Sequence, residues 1–285
     1  VPLRRTLRRA ALAAPALGVL LYAREVEPRW IQVTRLELVL PRLSSSFDGY
    51  RIVQVGDLHL DEWNDQSRLR GIVERVNALS ADLVALTGDF ASYSTRRLDE
   101  AALIGSLQSL EARDGVAAVL GNHDYLADAR TVRRCLRASG VTELSNDHIT
   151  LRRGREELHV AGVDDVMEGR CRLDLLLERL PDSGAAVLLA HEPDFADVAA
   201  ATGRFDLQLS GHSHGGQVRV PLLRRLVLPP FSQRYTAGLH RVGGMLQYTN
   251  RGLGFVHGRL RLFCRPEITA LTLRSPPTGE GAVIP

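Results

Sequence analysis

The chain has 285 residues, 45% hydrophobic and 24% charged, the proportions of a globular protein able to bury one sizeable core. Its net charge of +3 rests on arginine alone, and the arginines are scattered without interleaved aromatics, which argues against a nucleic-acid groove and for no nucleic-acid partner. Cys135, Cys171 and Cys264 are far apart and odd in number, which disfavours a disulfide framework or a zinc ribbon.

In chain order, Arg4, Arg5, Arg8 and Arg9 come first, followed by an apolar stretch from Ala10 to Tyr22. Such a run, about 13 residues, is shorter than the roughly 20 that span a bilayer and matches the apolar region of an export signal. Residues 1–28 are therefore expected to be a signal or membrane anchor, with the folded domain at 29–285. No clean A-x-A site follows, so an uncleaved anchor competes with a cleaved signal, and the paired arginines of LRRTLRRA allow a twin-arginine route. A packed helix of a cytosolic protein is the third reading. Positive charge kept inside would leave the body outside, so the expected location is membrane-associated or exported: inner membrane, periplasm or cell-envelope face.

Beyond the arm, Ile31 to Leu40 alternates as a strand, Pro41 and the SSS run turn the chain, and YRIVQVGD reads as a strand buried on both faces. Leu69, Ile72, Val73, Val76 and Leu79 recur at helical spacing before a strand from Asp82 to Thr87. A helix over 96–110, the strand GVAAVLG, a helix over 127–138 and a strand-rich section over 141–163 follow. Then come a helix over 173–180, the strand of AAVLLAHEP, a helix over 195–201 and FDLQLSGHSHG. Strands over 245–249, 259–264 and 268–273 close the chain. Strand-helix units with an antiparallel tail imply an α/β fold with mixed sheets covered by helices.

Five of the strands stop at a short polar cluster. They read VGDLHL (Asp57, His59), LTGDF (Asp89), LGNHDY (Asn122, His123, Asp124), LAHEP (His191) and LSGHSHGG (His212, His214). Ligands of open α/β sheets gather beyond the carboxyl ends of strands, so these clusters are expected to converge on one crevice. Carboxylate, amide and imidazole without thiolate suit Mn²⁺, Fe, Zn²⁺ or Mg²⁺. Seven candidate ligands exceed one ion and fit a pair about 3.5 to 4 Å apart with one bridging carboxylate. In an extended G-H-S-H-G segment His212 and His214 would point the same way while Ser213 turns aside.

DLH, TGD, GNHD, HEP and GHSHGGQ, in this order over 51–220, resemble the five blocks of the calcineurin-like metallophosphoesterases. YTNRGLG and CRPEITALTL resemble a bacterial subgroup with an N-terminal export signal or anchor, related to enzymes that hydrolyse UDP-2,3-diacylglucosamine. The resemblance implies a four-layer α-β-β-α sandwich with two mixed sheets. It implies Asp57, His59 and His214 on one metal and Asn122, His191 and His212 on the other, with Asp89 bridging. His123 would face the substrate as electrostatic stabiliser or proton donor, with Asp124 orienting its ring. The implied cofactors are two divalent ions, manganese favoured, and the implied reaction is attack of a metal-bridging hydroxide on a phosphate ester or anhydride.

Arg251 in TNRGLG is a candidate for the substrate phosphate, against a cap role for its neighbour Asn250. The segment from Val220 to Phe231 reads either as an apolar rim for lipid or as a packed loop. His148, His159, His240 and His257 read as surface or packing residues, and Asp164 and Asp165 as loop residues. Three functions compete: a general phosphoesterase, possible partners of which are a lipid-linked substrate and a membrane surface; a dedicated UDP-2,3-diacylglucosamine pyrophosphohydrolase; and a non-catalytic metal-binding scaffold. The full ligand set with His123 favours the enzymes.

Overall fold

The computed structural model describes residues 15–92, 98–219, 228–256 and 258–277. Arg4, Arg5, Arg8, Arg9, most of the segment Val220 to Phe231, and His257 lie outside the described residues.

Among the described residues twelve strands form two six-stranded sheets. The first contains β1 (Gln32–Val39), β2 (Tyr50–Val55), β3 (Leu83–Thr87), β4 (Val116–Val119), β5 (Thr142–Glu143) and β12 (Glu267–Arg274) in the order β1-β12-β2-β3-β4-β5. The second contains β6 (Asp147–Arg153), β7 (Glu156–Gly162), β8 (Ala185–Leu189), β9 (Leu207–Ser210), β10 (Gly238–Val242) and β11 (Met245–Thr249) in the order β10-β11-β9-β8-β7-β6. Both are mixed: β2, β3, β4 and β5 run parallel while β12 opposes β2, and β7, β8, β9 and β11 run parallel while β6 and β10 oppose their neighbours.

Three apolar cores separate four layers. Leu69, Ile72 and Val76 of α1 (Gln66–Asn77), Leu103 and Leu107 of α2 (Glu100–Gln108) and, past the short α3 (Asn122–Ala127), Val132 and Leu136 of α4 (Ala129–Ala138) pack on Val53, Val84 and Ala118 of the first sheet. Ile52, Leu83, Ala117 and Val119 meet Leu158, Val160, Val187 and Leu207 between the sheets. Leu176 of α5 (Leu173–Arg179) and Ala196 and Ala199 of α6 (Ala196–Ala201) cover Ala161, Ala186 and Leu188 of the second. Central strands buried on both faces explain why their sequences are nearly all apolar, as expected of parallel strands under helices. Each such Val or Leu contributes about 1.5–3 kcal/mol by leaving water. This is the α-β-β-α sandwich implied by the resemblance.

Asp65 and Asp99 start α1 and α2 by accepting the backbone N–H groups of Arg68 and Ala102, the usual side-chain service to unpaired donors at a helix start. Three expectations change. The strand expected over 259–264 is irregular chain with one bridge from Leu262 to Val218, because the Arg261 guanidinium is wholly buried and donates to the carbonyls of Arg251, Gly252, Gly254 and Cys264. The strand β10 lies where the sequence pattern predicts none. The packed body also begins before residue 29: Ala23 and Glu27 are buried, Ala23 O accepts from Arg261 N at 2.9 Å, and the Glu27 carboxylate accepts from Phe263 N and Cys264 N.

Candidate metal centre

The five polar clusters follow β2, β3 and β4 of the first sheet and β8 and β9 of the second. The two sheets face one another, so their carboxyl ends deliver the clusters to one place. Gln54 of β2 crosses the gap by donating to Ser210 O at 2.9 Å, and His212 N donates to Asp57 Oδ1 at 2.8 Å. Convergence, inferred from the strand ends, is what the geometry shows.

Two ligand groups result: Asp57, His59, Asp89 and His214, and Asp89, His191 and His212, with the ligand atoms of each group within 4.8 Å of one another. Asp89 belongs to both. Its Oδ2 lies 3.3 Å from His59 Nε2 and 3.2 Å from His191 Nε2, while Oδ1 accepts the backbone N–H of His123 at 2.9 Å. Asn122 is buried beside them, and its Oδ1 has no hydrogen-bond partner.

The donors are aimed at one another in a way that protein groups alone do not satisfy. His59 Nε2 and His214 Nε2 are 3.0 Å apart, and His212 Nδ1 and His191 Nε2 are 3.2 Å apart. Asp57 Oδ2 is buried without a hydrogen bond. An unpartnered buried carboxylate oxygen is costly, and a divalent cation among oxygen and imidazole donors removes the cost. The residue set therefore fits a cation pair. Burial pushes the Asp57 carboxyl up to about 6. Burial also opposes the charge on Asp89, but His191 and His59 prevail and hold it well below the carboxylate range.

The local backbone is strained where the ligands sit. Of ten non-glycine residues with positive φ among the described residues, Asp57, His59, Asp89, His212 and His214 are five. Such conformations cost about 1–3 kcal/mol each and persist where surrounding structure enforces them. The extended G-H-S-H-G expectation is corrected by these angles: φ is 67° at His212 and 49° at His214, and His214–Gly216 is a 3-10 turn. The two imidazoles still reach adjacent groups because the chain coils, and Ser213 does turn aside to donate to Thr236 O. Gly252, at φ +66°, backs the site so closely that an added Cβ would lie 2.6 Å from Asp57 Cβ.

Ring orientation has a separate cause. His191 Nδ1 lies 2.7 Å from Thr87 O and His212 Nε2 lies 2.9 Å from Pro230 O, so each ring offers its other nitrogen to the centre. Sequence reasoning missed both partners, since a carbonyl oxygen has no letter of its own. It also left Glu192 and Gln217 unassigned within quoted blocks: Glu192 accepts from Val166 N and Met167 N, and Gln217 accepts from Val256 N while its Nε2 donates to Gly258 O.

His123 stands on the opening above the ligands with Asn122, His212, His214, Gln217 and Val256, its ring edge-on to His59 at 4.6 Å. Burial lowers its pKa to about 4. Asp124 does not orient that ring by a direct bond. Its two oxygens accept the backbone N–H groups of Asp89, Phe90, Ala91 and Gly121, clamping the TGD loop to the GNHD loop. The expected phosphate ligand Arg251 has a carboxylate beside it: its Nε donates to Glu267 Oε2 at 2.9 Å. Asn250 takes the cap role, accepting from Gly252 N at 2.7 Å. Asp164 pairs with Tyr125 and Arg133, and Asp165 accepts from Glu168 N, as loop residues.

Comparison with known proteins adds independent support. The sequence model of a family described as calcineurin-like phosphoesterase matches residues 50–216. YkuE of Bacillus subtilis, an uncharacterized metallophosphoesterase, is 36% identical over 93% of this chain and 94% of its own. The phosphodiesterase YaeI of Escherichia coli is 31% identical, covering 88% and 92%. LpxG of Chlamydia muridarum, a UDP-2,3-diacylglucosamine pyrophosphatase, is 27% identical, covering 91% and 94%.

Proposed function

The chain belongs to the calcineurin-like phosphoesterase family, and from that premise we propose that it hydrolyses a phosphodiester or pyrophosphate with two divalent cations, manganese favoured, at the membrane or cell-envelope face. The observation that carries this reading is Asp89 Oδ2, set 3.3 Å and 3.2 Å from one histidine of each ligand group. Asp57, His59 and His214 would hold one cation and Asn122, His191 and His212 the other, with Asp89 common to both. When bound, the pair supplies hydroxide at neutral pH and neutralises phosphate charge.

The protein's own groups do the rest. Asp124 fixes the two loops that present Asp89 and His123. His123, on the opening, faces the incoming phosphate as stabiliser or proton donor, a role in which the negative charge of the phosphate raises the pKa that burial lowers in the free protein.

A lipid-linked pyrophosphate is the narrower reading, supported by the likeness to the Chlamydia pyrophosphatase. Exposed apolar residues of the N-terminal arm support membrane association. Among the described residues no helix is long and apolar enough to cross a membrane.

The test is an assay of the manganese-loaded protein on mono- and diesters, with UDP-2,3-diacylglucosamine included. Chelator-sensitive cleavage of a diester is expected, with preference for the lipid-linked substrate if the narrower reading holds. Protein carrying two manganese ions per chain that cleaves none of them would point to the scaffold.

A further inference from the structure

The N-terminal arm is more apolar on its outside than any other part of the described chain, and it is fastened beside the site. Residues 15–21 are helical, with Leu17, Leu20 and Leu21 half or more exposed, and Val26 and Trp30 continue the exposed series. Phe263, on the loop that receives the arm, is 71% exposed. Exposed side chains of this size scattered singly need no explanation, but a contiguous set does.

Contiguity follows from the bonds. Glu27, buried next to Val26, accepts from Phe263 N at 2.9 Å. Arg265 donates to Trp30 O at 3.0 Å and lays its guanidinium 4.0 Å from the centre of the Trp30 ring. These bonds set the arm and the loop side by side as one strip, on which Val26, Trp30 and Phe263 are exposed.

Charge at the strip is cationic. Arg24 and Arg29 share the one carboxylate of Glu25, Arg259 faces the exposed Glu62, and the Arg265 guanidinium lies on the Trp30 ring. Apolar side chains ringed by arginine complement a bilayer surface, whose hydrocarbon takes the first and whose phosphates attract the second.

The strip is also continuous with the opening of the metal centre. Leu262 N, one residue from Phe263, donates to Gln217 O at 3.1 Å, and Arg219 N returns a bond to Leu262 O at 2.9 Å. Gln217 and Val256, which are bonded to one another, line the opening. A surface bound by the strip would therefore lie beside the mouth.

We propose that Val26, Trp30 and Phe263, with the helical residues before them, form a bilayer-contact face that sets the opening of the metal centre against the headgroup layer. The phosphoester reached there is carried on an amphiphile. This inference rests on the phosphoesterase reading and gives it a direction of approach.

The experiment places one tryptophan at a time on the face of the full chain, which has only Trp30 and Trp63. The first probe is Trp30 in the Trp63→Phe variant. The second is Phe263→Trp in the Trp30→Phe, Trp63→Phe background. Each is mixed with vesicles of phosphatidylglycerol and phosphatidylcholine whose acyl chains carry bromine. Both probes should shift to the blue and lose emission, and high salt should weaken the effect. No vesicle binding, or binding that leaves both probes unquenched, refutes the face. Quenching of Trp30 alone refutes the orientation, since the arm would then insert without the loop. Hydrolysis of a small soluble diester, measured on the same samples with manganese, separates the two readings. Quenching without hydrolysis counts against the phosphoesterase, and hydrolysis without quenching counts against the face alone.

Discussion

The two halves of the metal centre hold the same kinds of ligand by different means. On the half built mainly by the first sheet, Asp57, His59 and His214 have left-handed backbone and glycine packed behind them, and Nδ1 of both histidines is buried without a hydrogen bond. On the half built by the second sheet, the rings of His191 and His212 are fixed by the carbonyl oxygens of Thr87 and Pro230. Strain and close packing occur on both halves, since His212 also has a φ of 67° and Gly88 and Gly121 press on His191; what differs is that hydrogen bonds to carbonyl oxygens choose the ring nitrogen on the second half and not on the first. Asp89 joins them, so the centre should respond to damage on one half, on the other, or on both, according to which support is removed.

The largest effect is expected at the joint. Asp89→Asn should weaken both cations together and lower kcat/KM by about 10³-fold or more, the several kcal/mol that metal charge stabilisation supplies. Metal analysis showing one ion retained at full occupancy would place Asp89 in one half only.

His123→Ala tests the opening apart from either half. Turnover should fall by about 10²-fold or more, the usual size of an acid-base contribution, with both ions still bound. Kinetics equal to the parent enzyme would remove His123 from the reaction.

A paired substitution separates the halves. Gly252→Ala drives a methyl group toward Asp57, and Gly88→Ala drives one to 2.7 Å from His191 Nδ1. Each should reduce the affinity of its own half by about 10- to 100-fold, the range seen when a supporting contact is lost, and reduce the other by less. Calorimetric titration reads both sites, and equal losses at both in either variant would deny the division.

Arg251→Ala should have the smallest catalytic effect, because its guanidinium serves Glu267. Stability should fall by about 1–3 kcal/mol from the carboxylate left behind, with KM for a diester within about twofold of the parent. A large rise in KM with unchanged thermal stability would restore the phosphate role.

These contrasts also explain what could be read before folding. The ligands were legible because Asp, Asn and His stand at the ends of apolar strands, and the four layers because strand and helix periods alternate. The supports were not. Thr87 and Pro230 act through carbonyl oxygens, which any residue carries. Arg261 sits in an apolar-looking run, RLRLF, whose alternation reads as a strand until the guanidinium is seen folded inward onto four carbonyls. The motif alone does not distinguish the coil at His212 to Gly216 from an extended segment, because both conformations bring the imidazoles to the centre. Glu27 carries no sequence signal for its role, yet its carboxylate caps the loop at Phe263 and Cys264.

Anomalous scattering from crystals of the manganese-loaded protein measures the centre most directly. Two peaks about 3.5–4 Å apart are predicted, one among Asp57, His59 and His214 and one among Asn122, His191 and His212, with an oxygen of Asp89 between them. A single peak, or two that share no atom of Asp89, would contradict the dinuclear account.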